Sequence, residues 1–345
     1  MKILFHNIYD SLNENNAMFE AKNVVLGDDL LVPLEVLDDY AKLRNIEVGT
    51  RSKIDQSKAD AVVFIDYPNL EDLYIQNLIK LKIPLYLMIC ESPMANSVLK
   101  DDPSLNIFRR VFTYDDSWVD GERFLKINYS FIPSFSGEDI EFDEKKFCTI
   151  IAGNKKSSHI NELYSFRKRD IRWFEKNHPN QLDLYGIGWD RINYGDKLPF
   201  RVMNRFNINP IFLGLSYPSY KGAIERKKVI LNQYKFSLCY ENMKDVPGYI
   251  TEKIFDSMFA GCIPIYLGAN NIDEHIPVGC YIDRRDFPLM EDLYKYMKSI
   301  SRMDYLDYIK NIKAFLKSNK MKKFSCDTFA CTILDALTAD NVRLM

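Results

Sequence analysis

The pattern of apolar and polar positions is clearest between residues 235 and 268. Residues 236–240 alternate large apolar side chains with smaller ones, which predicts a buried strand that ends in a polar loop. Beyond the loop, apolar residues recur at helical spacing over 254–259 and stop at Gly261, which suits a helix end. Residues 263–267 predict a second buried strand, so the expected order is strand, loop, helix, strand.

The rest of the chain alternates strand-like and helix-like segments, which predicts parallel sheets with helices on both faces. In the first 140 residues we predict a helix over 70–81 and strands at 3–8, 61–65, 85–90 and 110–113. Further along, we predict strands at 148–152 and 182–185 and helices over 160–177 and 222–233. Residues 190–221 are expected to form a long irregular loop over one face, and 289–340 follow a helical pattern.

These elements favour an α/β fold with two Rossmann-like, doubly wound domains. A polar, acidic stretch at 132–146 lacks clear periodicity and is predicted to be the linker. The domains are therefore placed at 1–140 and 141–318, followed by a helical tail at 319–345 that packs back toward the first domain.

Composition narrows the class of protein. A chain of 345 residues with 47% hydrophobic and 27% charged residues is globular and long enough for two cores. The net charge of −2 provides no broad basic surface, which argues against nucleic acid as a partner. No apolar run approaches the ~18 residues that span a bilayer, and the amino terminus resembles a first strand, so a cytoplasmic protein is expected.

The cysteines and histidines give no sign of a metal site. The seven cysteines are odd in number and lack C-x-x-C spacing, which favours buried, reduced thiols. The four histidines are scattered without ligand spacing.

The loop before residues 254–259 is where the pattern predicts chemistry. Thr251 suits the helix N-cap, and Lys253 lies in the first turn of the helix. Because free N–H groups and the helix dipole attract anions, and the ammonium adds a full charge, we predict a phosphate site here.

Three ordered motifs in this stretch, YKFSLCYEN, GYITEKIFD and GCIPIYLGA, resemble the donor-binding motif of the α-1,3-fucosyltransferases. The resemblance extends into CYIDRRDF (280–287) and more weakly through CESP (90–93) and IAGNK (151–155). It implies the GT-B arrangement, with two domains facing a cleft, and transfer of fucose from GDP-fucose to a sugar hydroxyl with inversion. It points to soluble bacterial-type members, since the membrane anchor of Golgi enzymes is not recognised here.

The resemblance also implies catalytic roles. Glu91 follows the predicted strand at 85–90 and matches the family's catalytic base, although a loop carboxylate that caps a turn has the same pattern. Arg167 and Lys253 match the cations that hold the diphosphate, with Arg169 and Arg172 left open as alternatives to Arg167. The absence of a D-x-D motif favours a clamp without metal, and no cofactor is expected.

Further residues are expected around the donor. Glu252 matches a glutamate that contacts the donor at the ribose or near the fucose, although it would equally favour the helix dipole. The same loop supplies predicted nucleotide-pocket residues, and the loop after the strand at 148–152 supplies two more: Asn242, Tyr249, Thr251, Asn154 and Lys155. Aromatic residues of the first domain are candidates for stacking on acceptor sugars, although each also suits the core: Tyr114, Trp118, Tyr129 and Phe131.

The predicted function is thus an inverting, metal-independent α-1,3-type fucosyltransferase with a glycan acceptor, O3 of N-acetylglucosamine being the expected hydroxyl. A transferase for another nucleotide sugar and a non-catalytic glycan- or nucleotide-binding protein are the alternatives. Lysines among apolar residues near the carboxyl end would suit peripheral contact with the inner membrane face, or simply a solvated surface: Lys313, Lys317, Lys320, Lys322 and Lys323.

Overall fold

The computed structural model describes residues 1–20, 29–95, 98–137, 140–191 and 216–342. The chain divides into two compact units, one formed by 1–132 with 319–345 and the other by 133–318. Most of the irregular loop predicted at 190–221 lies outside the described residues.

The first unit is a six-stranded sheet in which neighbouring strands pair in parallel, in the order β2-β1-β3-β4-β5-β6. Its strands are β1 (Lys2–Asn7), β2 (Glu47–Gly49), β3 (Ala61–Ile65), β4 (Leu85–Ile89), β5 (Arg110–Thr113) and β6 (Phe124–Lys126). Its helices are α1 (Asp10–Asn13), α2 (Ala17–Glu20), α3 (Val32–Leu43), α4 (Leu73–Lys80), α11 (Asn319–Lys322) and α12 (Cys326–Val342).

The strands and the helix predicted for this unit are present, but some of them begin or end at other residues than predicted. The helix predicted over 70–81 begins only at Leu73, because the Asp72 carboxylate accepts the N–H groups of Tyr74 and Ile75 and caps it. The short strands β2 and β6 and the helix α3 were not predicted. The core of the unit includes α12, whose Ile333 and Leu337 are fully buried with Leu37 of α3.

The second unit is also a six-stranded parallel sheet, in the order β12-β11-β10-β7-β8-β9. Its strands are β7 (Lys146–Ile151), β8 (Leu182–Tyr185), β9 (Tyr220–Gly222), β10 (Tyr234–Tyr240), β11 (Ile263–Leu267) and β12 (Ile282–Asp283). Its helices are α5 (Tyr164–Asn177), α6 (Lys227–Leu231), α7 (Glu252–Phe259), α8 (Ile272–His275), α9 (Met290–Ser299) and α10 (Arg302–Leu316).

Two helix predictions in this unit are wrong at their amino-terminal ends. The helix predicted over 160–177 begins at Tyr164, because residues 161–163 instead pair with the loop after β10. The helix predicted over 222–233 shrinks to α6, because Tyr220–Gly222 joins the sheet as β9 and Arg226 has extended backbone angles.

The strand, loop, helix and strand predicted around residues 235–268 are confirmed as β10, α7 and β11. Every residue of β11 is buried, and α7 buries Ile254, Phe255 and Met258 against the sheet side of the unit. The helix stops where predicted, since Gly261 adopts a left-handed conformation with φ of +64°. The parallel pairing of β10 with β11 therefore places the loop that follows β10 at the carboxyl edge of the sheet.

No helix within the described ranges is long and apolar enough to cross a membrane. The apolar residues that would accompany the basic tail into a bilayer are not exposed: Phe315 is 2% exposed and Phe324 is fully buried. Five of the seven cysteines are buried, and all seven are free thiols.

Candidate active site

The loop from Glu241 to Thr251, here called the donor loop, leaves β10 and leads into α7 at the carboxyl edge of the second sheet. Glu241 is fully buried and fixes the far end of this loop. One of its carboxylate oxygens accepts the Thr251 N–H at 2.8 Å, and the other accepts the Thr251 hydroxyl at 2.7 Å. The glutamate therefore closes the donor loop on itself.

Lys253 completes this closed loop. Its ammonium lies 3.2 Å from the Glu241 carboxylate and 3.3 Å from Glu252, and it donates to the Thr251 hydroxyl at 2.9 Å. Burial opposes the charge, but Glu241 and then Glu252 outweigh it and raise the pKa of Lys253. The lysine is thus a firmly charged group whose side chain is 19% exposed, at the start of α7.

Glu252 lies between two lysines. Its carboxylate is 3.3 Å from the ammonium of Lys253 and 3.6 Å from that of Lys227, which also binds Asp256 at 2.9 Å. Burial works to raise the pKa of Glu252, but Lys253 and Lys227 prevail and hold it well below the usual carboxyl range. With 28% of its side chain exposed, Glu252 is the most accessible acceptor that Lys253 contacts.

The start of α7 is not capped by a side chain. Thr251 occupies the N-cap position as predicted, but its hydroxyl donates to Glu241 and makes no cap hydrogen bond. The first N–H groups of an α-helix have no partner within the helix, and here no N-cap side chain satisfies them. This end of α7, beside a charged lysine, has the donors that a phosphate requires.

Arg167 lies against the donor loop. It is 3% exposed, and its Nη2 donates to the carbonyls of Tyr240 and Glu241, both at 2.6 Å, and to the Asn242 side chain at 3.2 Å. Burial lowers the pKa of Arg167, with Tyr164 and Glu241 acting in the opposite direction. An arginine stays charged even so, because its ordinary pKa is above 12.

The two alternative arginines on α5 lie elsewhere. Arg169 binds Asp170 at 3.2 Å with 58% of its side chain exposed. Arg172 binds Glu175 at 2.8 Å and the Ser216 carbonyl at 2.7 Å. Among the three candidates, contacts with the donor loop therefore favour Arg167.

Residues before α5 hold the other side of the donor loop. The Leu163 N–H donates to the Asn242 carbonyl at 3.0 Å, and the Lys244 N–H donates to the Asn161 carbonyl at 3.0 Å. Asn242 also approaches the hydroxyl of the buried Tyr249, at 3.4 Å. The structure therefore brings Arg167, Asn242, Tyr249, Thr251, Glu252 and Lys253 together on one loop and its supports.

Asn154 and Lys155 follow β7 at the same edge of the sheet. Asn154 is held by the loop after β8, since its backbone N–H donates to Ile187 at 2.9 Å and its side-chain amide donates to Gly188 at 2.8 Å. Lys155 is exposed. The contacts seen for these two residues do not include the donor loop, so their role with the donor remains a prediction.

Glu91 follows β4 in the first unit, where parallel strand ends place polar side chains at one edge. Its carboxylate accepts a hydrogen bond from the Tyr9 hydroxyl at 3.1 Å, and its backbone N–H donates to the Asp66 carboxylate at 2.8 Å. The side chain is partly exposed, as a base that must reach a substrate requires.

Two of the predicted sugar-stacking aromatics instead support Glu91. The hydroxyl of the buried Tyr114 donates to the Glu91 carbonyl at 2.9 Å, and the Tyr129 hydroxyl donates to the Cys90 carbonyl. Trp118 packs edge-on against Phe124, and Phe131 pairs with Ser325. Tyr114 is therefore too buried to offer its ring face to a sugar.

Sequence patterns missed Tyr9, Asp66 and Lys227. Asp66 directly follows β3, and the same rule that singled out Glu91 after β4 would have found it. Lys227 lies in the basic run Arg226-Lys227-Lys228, a pattern that is usual for a solvated helix face, yet it contacts both Glu252 and Asp256. The described part of the chain contains no cluster of His, Cys, Asp or Glu residues that could hold a metal ion.

Two units, each built on a parallel six-stranded sheet with helices, are the pattern of the GT-B fold, and comparison with solved structures supports this fold. An α-1,3-fucosyltransferase solved with GDP-fucose matches over 97% of this chain and 89% of its own, with a TM-score of 0.54 at 15% identity. Anabaena HepE with UDP-glucose matches over 98% of this chain and its whole length, with a TM-score of 0.58 at 11% identity. At these identities the likeness concerns the fold.

Sequence comparison finds similarity to fucosyltransferases. Residues 208–344 match the family model described as glycosyltransferase family 10 (fucosyltransferase), C-terminal. The α-(1,3)-fucosyltransferase FucT of Helicobacter pylori is 30% identical over 165 residues, which cover 43% of this chain and 34% of that protein. An α-(1,4)-fucosyltransferase of Arabidopsis thaliana is 32% identical over 112 residues, covering 31% and 28%. The chain thus spans about a third of the length of these relatives, and its carboxyl-terminal part is similar to glycosyltransferase family 10 fucosyltransferases.

Proposed function

We propose that this protein transfers L-fucose from GDP-fucose to a hydroxyl of a glycan acceptor with inversion. The observation that carries the proposal is the donor loop, which Arg167 binds where the loop leaves β10 and Lys253 binds at the uncapped start of α7. The relatives support the transfer of fucose, since they are named α-(1,3)-, α-(1,4)- and protein O-fucosyltransferases. GDP-fucose is the donor named for the Xenopus laevis protein O-fucosyltransferase 3 and is bound in the solved α-1,3-fucosyltransferase.

Binding of the diphosphate requires Lys253 to exchange a partner. Its ammonium has three N–H groups, and Thr251, Glu241 and Glu252 already accept from it. Glu241 is fully buried and also holds Thr251, whereas Glu252 is partly exposed and has Lys227 as a second partner. We expect the phosphate to replace Glu252, which then turns toward the ribose or the fucose while Lys227 neutralises it.

Arg167 would stabilise the departing diphosphate from a fixed position. Its Nη2 is bound to two backbone carbonyls, so the guanidinium is oriented before the donor arrives. A preorganised cation that needs no reorientation favours the charge that develops on the leaving group. Arg167, Lys253 and the start of α7 together make a metal-independent clamp, and Asn242, Tyr249, Thr251, Asn154 and Lys155 are the proposed pocket around the nucleotide.

Glu91 is the proposed general base. It would take the proton from the acceptor hydroxyl as that oxygen attacks the anomeric carbon, while GDP leaves with the bond electrons. O3 of N-acetylglucosamine is the proposed acceptor atom, since the H. pylori relative is named an α-(1,3)-fucosyltransferase and a Mus musculus relative is named a 4-galactosyl-N-acetylglucosaminide 3-α-L-fucosyltransferase. The α-(1,4) relative makes the linkage a point for direct measurement.

The decisive assay is incubation with GDP-fucose and an array of acceptor glycans, read by mass spectrometry with linkage analysis. Fucosylated product and released GDP are expected, at the same rate with and without excess chelator. Product formed only from another nucleotide sugar would select the alternative donor. GDP binding without product from any donor would select a non-catalytic binding protein, and activity restored by manganese would refute the metal-independent clamp.

Peripheral membrane contact would have to be electrostatic. Lys317, Lys320, Lys322 and Lys323 are exposed, whereas Phe315 and Phe324 are buried and cannot insert. Sedimentation with vesicles containing anionic lipid would test a cytoplasmic-face location, and binding should vanish at high salt because screening weakens such contacts.

A further inference from the structure

The backbone at Glu91 is held at four points by side chains from other strands. One oxygen of the Asp66 carboxylate accepts the N–H groups of both Cys90 and Glu91, each at 2.8 Å. The carbonyls of the same two residues accept hydroxyls from Tyr129 and Tyr114. Side chains therefore satisfy the N–H and carbonyl groups of both residues, which fixes the backbone at the base.

Asp66 is itself held in an uncommon conformation. It is 3% exposed, and its φ of +62° lies in the left-handed region, which residues other than glycine rarely adopt. Its own N–H donates to the Met88 carbonyl at 2.8 Å, on the strand that leads to Glu91. Backbone strain of this kind persists where the surroundings over-determine it, and it clusters at functional sites.

The carboxylate of Glu91 is held separately, by Tyr9. The Tyr9 hydroxyl donates to it at 3.1 Å, and the Tyr9 N–H donates to the Asn7 side chain at 2.8 Å, which ties the residue to the end of β1. Burial and then Glu91 raise the pKa of Tyr9 to about 12, so the hydroxyl keeps its proton throughout the neutral range.

We propose that Asp66 and Tyr9 are positioning residues for Glu91, with Asp66 fixing the backbone of the base and Tyr9 fixing its carboxylate. The inference deepens the proposed function, since it rests on Glu91 being the base. Positioning matters because the base must meet the acceptor hydroxyl at hydrogen-bond distance, and a displacement of about 1 Å can cost about 100-fold in rate.

The test for Asp66 compares two substitutions with a matched control. Asp66→Gly tolerates the positive φ but lacks the acceptor, whereas Asp66→Asn keeps an amide oxygen that can accept both N–H groups. Asp29→Gly is the control, because Asp29 also has a positive φ, +59°, and is exposed. We expect kcat to fall about 100-fold in Asp66→Gly with GDP affinity and the KM for GDP-fucose unchanged. Asp66→Asn should recover most of that loss, and Asp29→Gly should match the wild type.

The test for Tyr9 removes only the hydroxyl. Tyr9→Phe should lower kcat about fivefold without a change in melting temperature, since one hydrogen bond to a partly exposed carboxylate is lost. Tyr74→Phe is the matched control, because the buried Tyr74 hydroxyl has no hydrogen-bond partner among the residues described.

The outcomes separate the two proposals. A wild-type protein that transfers fucose, with Asp66→Gly and Tyr9→Phe equally active, would overturn the inference and leave the proposed function standing. Equal losses in Asp66→Gly and Asp66→Asn, together with weaker GDP binding, would also overturn it, because they indicate general damage. Absence of transfer by the wild type to every acceptor would overturn both proposals.

Discussion

The donor loop of the second unit and the surroundings of Glu91 in the first unit are built in opposite ways. In the second unit, the donor loop and α7 place Glu241, Thr251, Glu252 and Lys253 within thirteen residues of one another, and their side chains bind each other directly. In the first unit, Glu91 is held by Tyr9, Asp66 and Tyr114, which come from the ends of three other strands. Contacts within one loop can be recognised from a motif, whereas spacing along the chain does not show which residues at separate strand ends contact each other.

The largest expected effect comes from removing the proposed general base in the first unit. Glu91→Gln should lower kcat by about 10²–10⁴-fold, the contribution of a well-placed general base, while GDP binds as in the wild type. The two measurements are single-turnover transfer and calorimetric titration with GDP. Near-normal turnover in Glu91→Gln would remove Glu91 from the role of base.

The next largest effect comes from removing a cation that binds the donor loop of the second unit. Arg167→Met should weaken GDP binding by about 10- to 150-fold, because a charge-assisted contact contributes about 1.5–3 kcal/mol. Arg169→Met is the control, since Arg169 is largely exposed and contacts Asp170. Equal losses of GDP affinity in the two variants would show that the assignment of Arg167 is incorrect.

The sequence predicted local elements well and contacts between distant parts of the chain poorly. The alternation at 236–240 and the helical spacing at 254–259 correctly placed β10 and α7, because a strand and a helix buried against one sheet carry their own periodicity. The family resemblance implied roles for Lys253 and Arg167, and these roles stay predictions. The helix predicted over 222–233 began too early, because pairing of Tyr220–Gly222 with β8 is a long-range event. The contacts of Tyr9 and Asp66 with Glu91 could not be read from spacing, since Glu91 is 82 and 25 residues away from them.

A third prediction sharpens the account of the donor loop through its packing. A Cβ added at Gly268 would lie 2.4 Å from the Glu241 side chain and 2.4 Å from the Tyr266 hydroxyl. Gly268→Ala should therefore destabilise the fold by about 1–3 kcal/mol and displace Glu241, weakening GDP binding. Gly153→Ala, whose Cβ would meet nothing closer than 3.9 Å, is the control. Unchanged melting temperature and GDP affinity in Gly268→Ala would contradict the proposed crowding.

The smallest expected effect concerns pH. The pKa of Glu252 is depressed in the folded protein, so its pairing stabilises the fold above the ordinary carboxyl pKa of about 4.3, and this stabilisation is lost as pH falls toward the folded value. Glu252→Gln should lower the melting temperature slightly at pH 7, and the difference from the wild type should shrink on acidification below about pH 4.3. The exposed Glu144 provides the control Glu144→Gln, with little change expected. A melting-temperature difference between Glu252→Gln and the wild type that grows at low pH would contradict this account.

The most direct test of the account is a crystal structure of the protein with GDP. We expect the diphosphate within about 3.2 Å of the Lys253 ammonium and of the first N–H groups of α7, with Glu252 displaced from the lysine. A nucleotide bound at another place, or a Lys253 that keeps Thr251, Glu241 and Glu252 as its partners while the phosphates lie out of reach, would contradict it.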